Sequence, residues 1–214
     1  MNIKLKNIAP HPLIGAFSPS TDIWGKAITI EKASKVIILA PSGSGKTTLV
    51  SLLYGLRKDF DGELFFNDES TSVFNIDKWS DIRSNSIAVV FQDLQLLADL
   101  TAMENIVLKN QLTNQFSRAK IEEMANQLGI LNKLNSKCNN LSRGEKQRVA
   151  IIRALCMPFK FIILDEPFSH LDEINTQKAI ALINKIVANN KAGLIMANLF
   201  SDDHFDYVSQ LKMV

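Results

Sequence analysis

"APSGSGKTT", Ala40 to Thr48, follows the apolar run Val36–Ala40 and leads into a segment where Leu49, Leu52, Leu53 and Leu56 recur at helical spacing. Strand, glycine-bearing loop, Lys-Thr and helix stand in the order that a phosphate-cradling loop demands. Glycines at 43 and 45 permit a curled backbone whose successive N–H groups face one anion. The helix that starts there adds the partial positive charge of its N-terminus. Lys46 is placed to reach the outer phosphates of a nucleotide, and the Thr47 hydroxyl to hold Mg²⁺. Pro41, Ser42, Gly43, Ser44, Gly45 and Thr48 complete the expected cradle with Ala40. Ala40 replaces the first glycine of the pattern, which a methyl group tolerates only where φ is negative.

Three further apolar runs, Ile87–Phe91, Phe161–Leu164 and Leu194–Ala197, are continuous rather than alternating. Such runs suit strands buried on both faces of a parallel sheet. Helical pattern lies between them. Ile121, Met124, Ala125 and Leu128 share one face of a helix over Ser117 to Leu128, with Gly129 as its C-cap. Another helix is expected from Arg143 to Met157, stopped by Pro158. Nearer the start, "AITIEKASK" alternates and "DGELFFND" reads as a strand after an Asp-Gly turn, which together predict an antiparallel edge. Between Leu94 and Asn140 there is helical pattern without a strand run. The fold class is therefore α/β: a P-loop NTPase core with a mostly parallel sheet, an antiparallel β edge subdomain and an inserted helical subdomain. One domain is expected over residues 1–214, with the core at about 1–93 and 146–214 and the helical part at about 94–145.

Composition narrows the class. Hydrophobic residues at 46% and charged ones at 21% are ordinary for a globular chain. A net charge of +2 makes no bulk electrostatic case for nucleic acid, so none is expected as a partner. Cys138 and Cys156 lack metal-ligand spacing, and two thiols in a chain this long suit a reducing compartment. The opening "MNIKLKNIAPHPLIG" has lysines but no continuous apolar stretch, so no signal peptide is expected. No segment approaches the ~20 apolar residues that span a bilayer. Any membrane role must come through a partner.

"FIILDEPFSHLDE", Phe161 to Glu173, ends an apolar run in Asp165 and Glu166, at the sheet edge where open α/β folds bind ligands. Asp165 is the expected Mg²⁺ partner, through water. Glu166 is placed to polarise an attacking water, a role that typically contributes ~10²–10⁴-fold.

A third stretch sets the chain apart from simple kinases and small GTPases. In "LSRGEKQR", Leu141 to Arg148, Ser142 and Glu145 match a capping box, yet Gly144 sits inside that first helical turn, where glycine costs roughly 1 kcal/mol. With the Walker A loop, the Walker B acidic pair and this stretch in order, the chain resembles the nucleotide-binding subunit of ABC transporters over nearly its whole length. "LSRGEKQRVAIIRAL" is similar to that family's signature, "VVFQD" carries Gln92 at the Q-loop position, and "SHLD", Ser169 to Asp172, resembles the D-loop. "LTAMENIVL" resembles the small stand-alone subunits serving lipoprotein release, macrolide export and cell division.

The resemblance implies an ATPase in which two subunits, here a homodimer, sandwich two ATP molecules head to tail and drive a separate transmembrane permease. The chain would then lie in the cytoplasm, peripheral on the inner face of the membrane. Ser142 and Gly144 would meet the partner's γ-phosphate, the missing Cβ of Gly144 allowing close approach. Gln92 would contact Mg²⁺ or the attacking water. Phe17 would stack on adenine, with Trp24 as the alternative.

Two departures stand out. The family's last core strand leads to a histidine near the γ-phosphate, whereas "GLIMANLFSDDH" places Asn198 or Leu199 there, with His204 further along. This leaves open a degenerate subunit that hydrolyses weakly. Arg143 stands where the signature has its first glycine, and with Lys146, Arg148 and Arg153 it makes a basic helix whose default reading is a solvated face. A relative acting on ribosomes or DNA would carry two cassettes or a coiled-coil insertion, and this chain has neither.

Overall fold

The computed structural model describes residues 1–15 and 17–213. Five strands form one parallel sheet: β3 (Lys35–Leu39), β6 (Ile87–Val90), β7 (Phe161–Asp165), β8 (Gly193–Asn198) and β9 (Ser209–Lys212), in the order β6-β7-β8-β3-β9. The four predicted runs supply the first four. Leu39 lies opposite Asn198, and Asp165 opposite Ala197, so three strands end level at one edge. β9 was not foreseen. Its "SQLK" has no apolar run because it closes an exposed edge beside β3, where one face needs no burial.

A second sheet is antiparallel, with order β2-β1-β4-β5, built from β1 (Ile3–Pro10), β2 (Ala27–Ile30), β4 (Phe60–Phe66) and β5 (Glu69–Ser70). The Asp-Gly pair does not turn the chain, as the sequence led us to expect, but lies inside β4. The β1–β4 register shifts between Lys6 and Ala9, and Gly62 adopts φ +93° where the Asn7 carbonyl would stand 2.4 Å from a Cβ. The glycine marks a bulge.

Among the described residues, six α-helices complete the fold: α1 (Lys46–Leu53), α2 (Ile76–Asn85), α3 (Ala102–Asn110), α4 (Arg118–Gln127), α5 (Arg143–Leu155) and α6 (Glu173–Asn189). α1 is shorter than the leucine pattern suggests, and Leu56, beyond Gly55, is exposed. Side-chain caps at Thr101, Ser117, Ser142 and Asp172 start α3 to α6, each contributing ~1 kcal/mol. α3, α4 and two short 3-10 turns occupy the predicted helical insertion, while α5 runs unbroken through the boundary expected at residue 145.

The parallel sheet divides the interior in two. Alternate residues face opposite ways, as the period of a strand requires. Ile37, Ile162, Leu164, Leu194 and Met196 join a cluster with α3 to α6. Val36, Ile38, Phe161, Ile163 and Ile195 join a second cluster with α1, α2 and the antiparallel sheet. Among the described residues, no helix is long and apolar enough to cross a membrane.

Candidate active site

The loop between β3 and α1 curls as its glycines allow, with φ +82° at Gly43 and +95° at Gly45. Ala40 is not among the left-handed residues; it is buried and donates its N–H to the Asn198 carbonyl at 2.9 Å, so its methyl group is tolerated. Trp24 Nε1 donates to the Ser44 carbonyl at 3.0 Å, and Ser44 Oγ to the Pro41 carbonyl at 2.8 Å. Trp24 is thus a fully buried brace under the loop, not a platform for a base. Above the curl lies a cavity of about 420 Å³ lined by Leu13, Pro41–Gly43, Gly45–Thr48, Gln92, Glu166 and Leu199.

Across this cavity stand the acidic residues. Lys46 Nζ donates to Glu166 Oε1, and Gln92 Nε2 donates to Glu166 Oε2 at 3.2 Å. Glu166 holds φ +45°, a strained backbone for a residue with a side chain, fixed by its N–H bonding the Ala197 carbonyl at 3.0 Å. Asp165 is fully buried beneath. Its Oδ2 accepts from Thr47 Oγ1 at 3.5 Å, and its Oδ1 has no partner. Burial pushes the Asp165 carboxyl up to about 6, against the pull of the Lys46 ammonium. A buried, partnerless carboxylate oxygen beside the Thr47 hydroxyl offers the hard-oxygen ligands that Mg²⁺ prefers, so the residues present fit that ion.

The other predicted residues fall elsewhere. Phe17 packs, half-buried, against the cluster on the antiparallel side and is not part of the cavity lining; Leu13 is. A lone leucine in a loop carried no signal that would have singled it out. Ser142 and Gly144 lie outside the cavity, while Arg143 and Lys146 border a neighbouring one of about 630 Å³ with Thr47, Gln92 and His170. Leu199 lines the phosphate cavity, whereas the Asn198 amide is turned to Asp202 Oδ2 at 2.9 Å. His204 shares a smaller cavity with Glu166 and stacks edge-on against Phe168.

Of the four basic residues on this helix, Arg143 is exposed as a solvated face would have it, but Arg148 and Arg153 are engaged by the protein. Arg148 bonds the carbonyls of Gly144 and Leu128 and the Asn175 side chain, and Arg153 bonds the carbonyls of Leu94 and Gln95. Apart from Gly144, four residues back on the same helix, these acceptors come from distant segments, which a local charge pattern does not reveal.

The capping box at Ser142 and Glu145 is present with both its bonds. The reason for Gly144 lies inside the chain: the His170 carbonyl would stand 2.8 Å from its Cβ. Gly144→Ala gains ~1 kcal/mol of helix propensity but forces apart two backbones, a cost of ~1–3 kcal/mol. A net loss of about 1 kcal/mol is expected, read as a lower urea midpoint with an unchanged slope.

Residues 25–169 match the ABC transporter family. The chain belongs to that family. A thiamine import ATP-binding protein of Aliivibrio fischeri is 32% identical over 203 residues, 91% of this chain and 84% of that one. A lipoprotein-releasing system ATP-binding protein of Saccharophagus degradans is 32% identical over 175 residues, 80% of this chain and 77% of that one. A bacterial ABC transporter cassette solved as a dimer superposes with a TM-score of 0.79 at 28% identity, covering 92% of this chain and 88% of that one. The same cassette in a post-hydrolysis state with ADP and Pi gives 0.77 at 27% identity, covering 92% and 87%. This chain is accordingly an ABC ATP-binding subunit and an ATPase by family, with the α/β cassette fold.

Proposed function

We propose that the chain pairs with a second copy across two ATP molecules, hydrolyses them and drives a separate membrane permease. The observation that carries this reading is the convergence of Lys46 and Gln92 on one carboxylate beside the curled loop. Ala40–Thr48 would cradle the phosphates through backbone N–H groups, with Lys46 on the β- and γ-phosphates. A phosphate that takes the Lys46 ammonium releases Glu166, which stays tied to Gln92 and turns to polarise water. Thr47, Gln92 and Asp165 would hold Mg²⁺, which neutralises phosphate charge when bound. The adenine would meet Leu13 first, since Leu13 and not Phe17 lines the cavity.

Ser142 and Gly144 lie away from this chain's own phosphate cavity, as a site completed by a second copy requires. The relatives' names, thiamine import and lipoprotein release, support a transport role. The permease would dock by Gln92 and the helical insertion, in which Leu97, Leu108 and Leu112 are exposed, placing the chain on the cytoplasmic face of a membrane. A second reading, weak hydrolysis, is favoured by Leu199 at the cavity, since an apolar side chain there offers the γ-phosphate no hydrogen bond.

The dimer is tested by light scattering with Mg²⁺ and a non-hydrolysable ATP analogue. The wild-type mass is expected to rise from 23.9 kDa to about twice that, and the rise to vanish in Ser142→Arg. A wild-type chain that stays monomeric overturns the reading.

A further inference from the structure

The loop after Glu166 is tied to the start of α5 by a chain of side chains whose bond directions are all determined. Gln147, on α5, is fully buried, and its Nε2 donates to the Glu166 carbonyl at 3.1 Å. A carbonyl only accepts, so the other end of that amide, Oε1, must itself be an acceptor. Oε1 lies 3.1 Å from His170 Nδ1, which must therefore carry the ring proton, with Ser169 Oγ also within 2.9 Å of it. Arg143 Nη1 approaches His170 Nε2 at 3.2 Å and can only donate, which requires Nε2 to be bare. Both ends of the chain fix the same neutral tautomer.

We propose that His170 is a positioning residue for Glu166: as the neutral Nδ1–H tautomer it links Arg143, in the first turn of α5, through Gln147 to the backbone of the carboxylate. The inference rests on Glu166 being the catalytic carboxylate, and it deepens that assignment. Arg143 stands between Ser142 and Gly144, the residues proposed to meet a second copy's nucleotide. Occupancy of that neighbouring site would thus bear on the orientation of Glu166 in this one. The His170 carbonyl lies so close over Gly144 that a Cβ there would stand 2.8 Å from it, so loop and helix are packed backbone to backbone at this point. A proton on Nε2 would set a cation against Arg143, with Lys146 lining the same cavity. The acidic groups on the elements around the ring are Asp93, which lines that cavity, Glu145 in the first turn of α5, and Glu166 and Asp172 on the segment that carries His170. The relay therefore exists only while the ring is neutral.

Two-bond ¹H–¹⁵N spectra of the labelled full chain at pH 8 read the tautomer directly; there are three histidines, and His170→Gln assigns the signal. A neutral Nδ1–H ring is expected, shifting towards a tautomer mixture in Arg143→Ala. An Nε2–H or charged ring in the wild type overturns the proposal. In steady-state ATPase assays, Arg143→Ala and His170→Ala should each lower kcat about tenfold with KM for ATP nearly unchanged. The double variant should be no slower than the worse single one, and His170→Asn, whose amide both donates and accepts, should recover part of the loss. Unchanged kcat, or fully additive losses, also overturns it. Because the spectrum is read without ATP, a Glu166 that proves dispensable for hydrolysis would remove the catalytic assignment while leaving the tautomer result standing, so the two failures are distinguishable.

Discussion

Glu166→Gln is expected to lower ATP turnover by ~10²–10⁴-fold while leaving ATP binding intact. The amide keeps the size of the carboxylate, and its oxygen still accepts from Lys46 or Gln92, so the cavity keeps its shape. Its basicity is lost, and with it the ability to polarise water. Removing one charge of a pair this little exposed (8% and 12% of the two side chains) would by itself cost ~3–5 kcal/mol. The retained hydrogen bond offsets part of that, and bound phosphate supplies Lys46 with a new anion. The nucleotide-free variant should therefore melt earlier than the wild type, and the ATP-bound variant should not. Phosphate release at saturating ATP is the measurement. A variant within threefold of the wild type would remove Glu166 from the chemistry. The same comparison decides the weak-hydrolysis reading: it stands if wild-type turnover is already as low as the variant's, and falls if the wild type works near the ~1–10³ s⁻¹ usual for enzymes.

Arg153→Met should cost about 2–4 kcal/mol of stability and lower turnover further than that loss explains. Leu94 and Gln95 follow Gln92 closely and adopt φ +63° and +50°, two successive strained residues without glycine's freedom. Arg153 reaches their carbonyls at 2.6 and 2.5 Å from the far end of α5. Burial draws its guanidinium down from the usual arginine range, which marks it as withdrawn from water. Methionine matches much of the volume but donates nothing, so two carbonyls lose their partner at ~1–3 kcal/mol each, less where water can reach. Thermal melting should fall by about 10 °C at ~2–4 °C per kcal/mol for a chain of this size. Gln92, two residues before the clamped turn, should lose its hold on Glu166 as the loop relaxes. An unchanged melting point would mean that the clamp contributes nothing.

What the sequence revealed and what it concealed follow one physical rule. β3, β6, β7 and β8 were legible because burial on both faces leaves an unbroken apolar run, and the curled loop because its glycines, lysine and flanking elements are contiguous. β9 escaped because an exposed edge strand needs no such run. Asp61–Gly62 misled because a glycine at positive φ serves a bulge as well as a turn, and only the partner strand decides between them. Arg148, Arg153 and Gly144 were illegible for a shared reason: what each one meets is a backbone carbonyl from another segment, and carbonyls leave no trace in residue identity. The likeness to ABC subunits named the family, yet Leu13 at the rim of the cavity could be found only in three dimensions.

The sheet that separates two apolar interiors has a consequence for how this chain tolerates change. α1, which opens at the phosphate loop, is rooted through Leu49, Val50, Leu52 and Leu53 in one interior. α5, which opens at Ser142, is rooted through Val149, Ile151, Ile152 and Leu155 in the other. Buried apolar residues on opposite sides belong to separate clusters, and the free energies of substitutions there should add. A core substitution beneath α5 should therefore leave the footing of α1, and with it the shape of the loop that opens α1, unchanged.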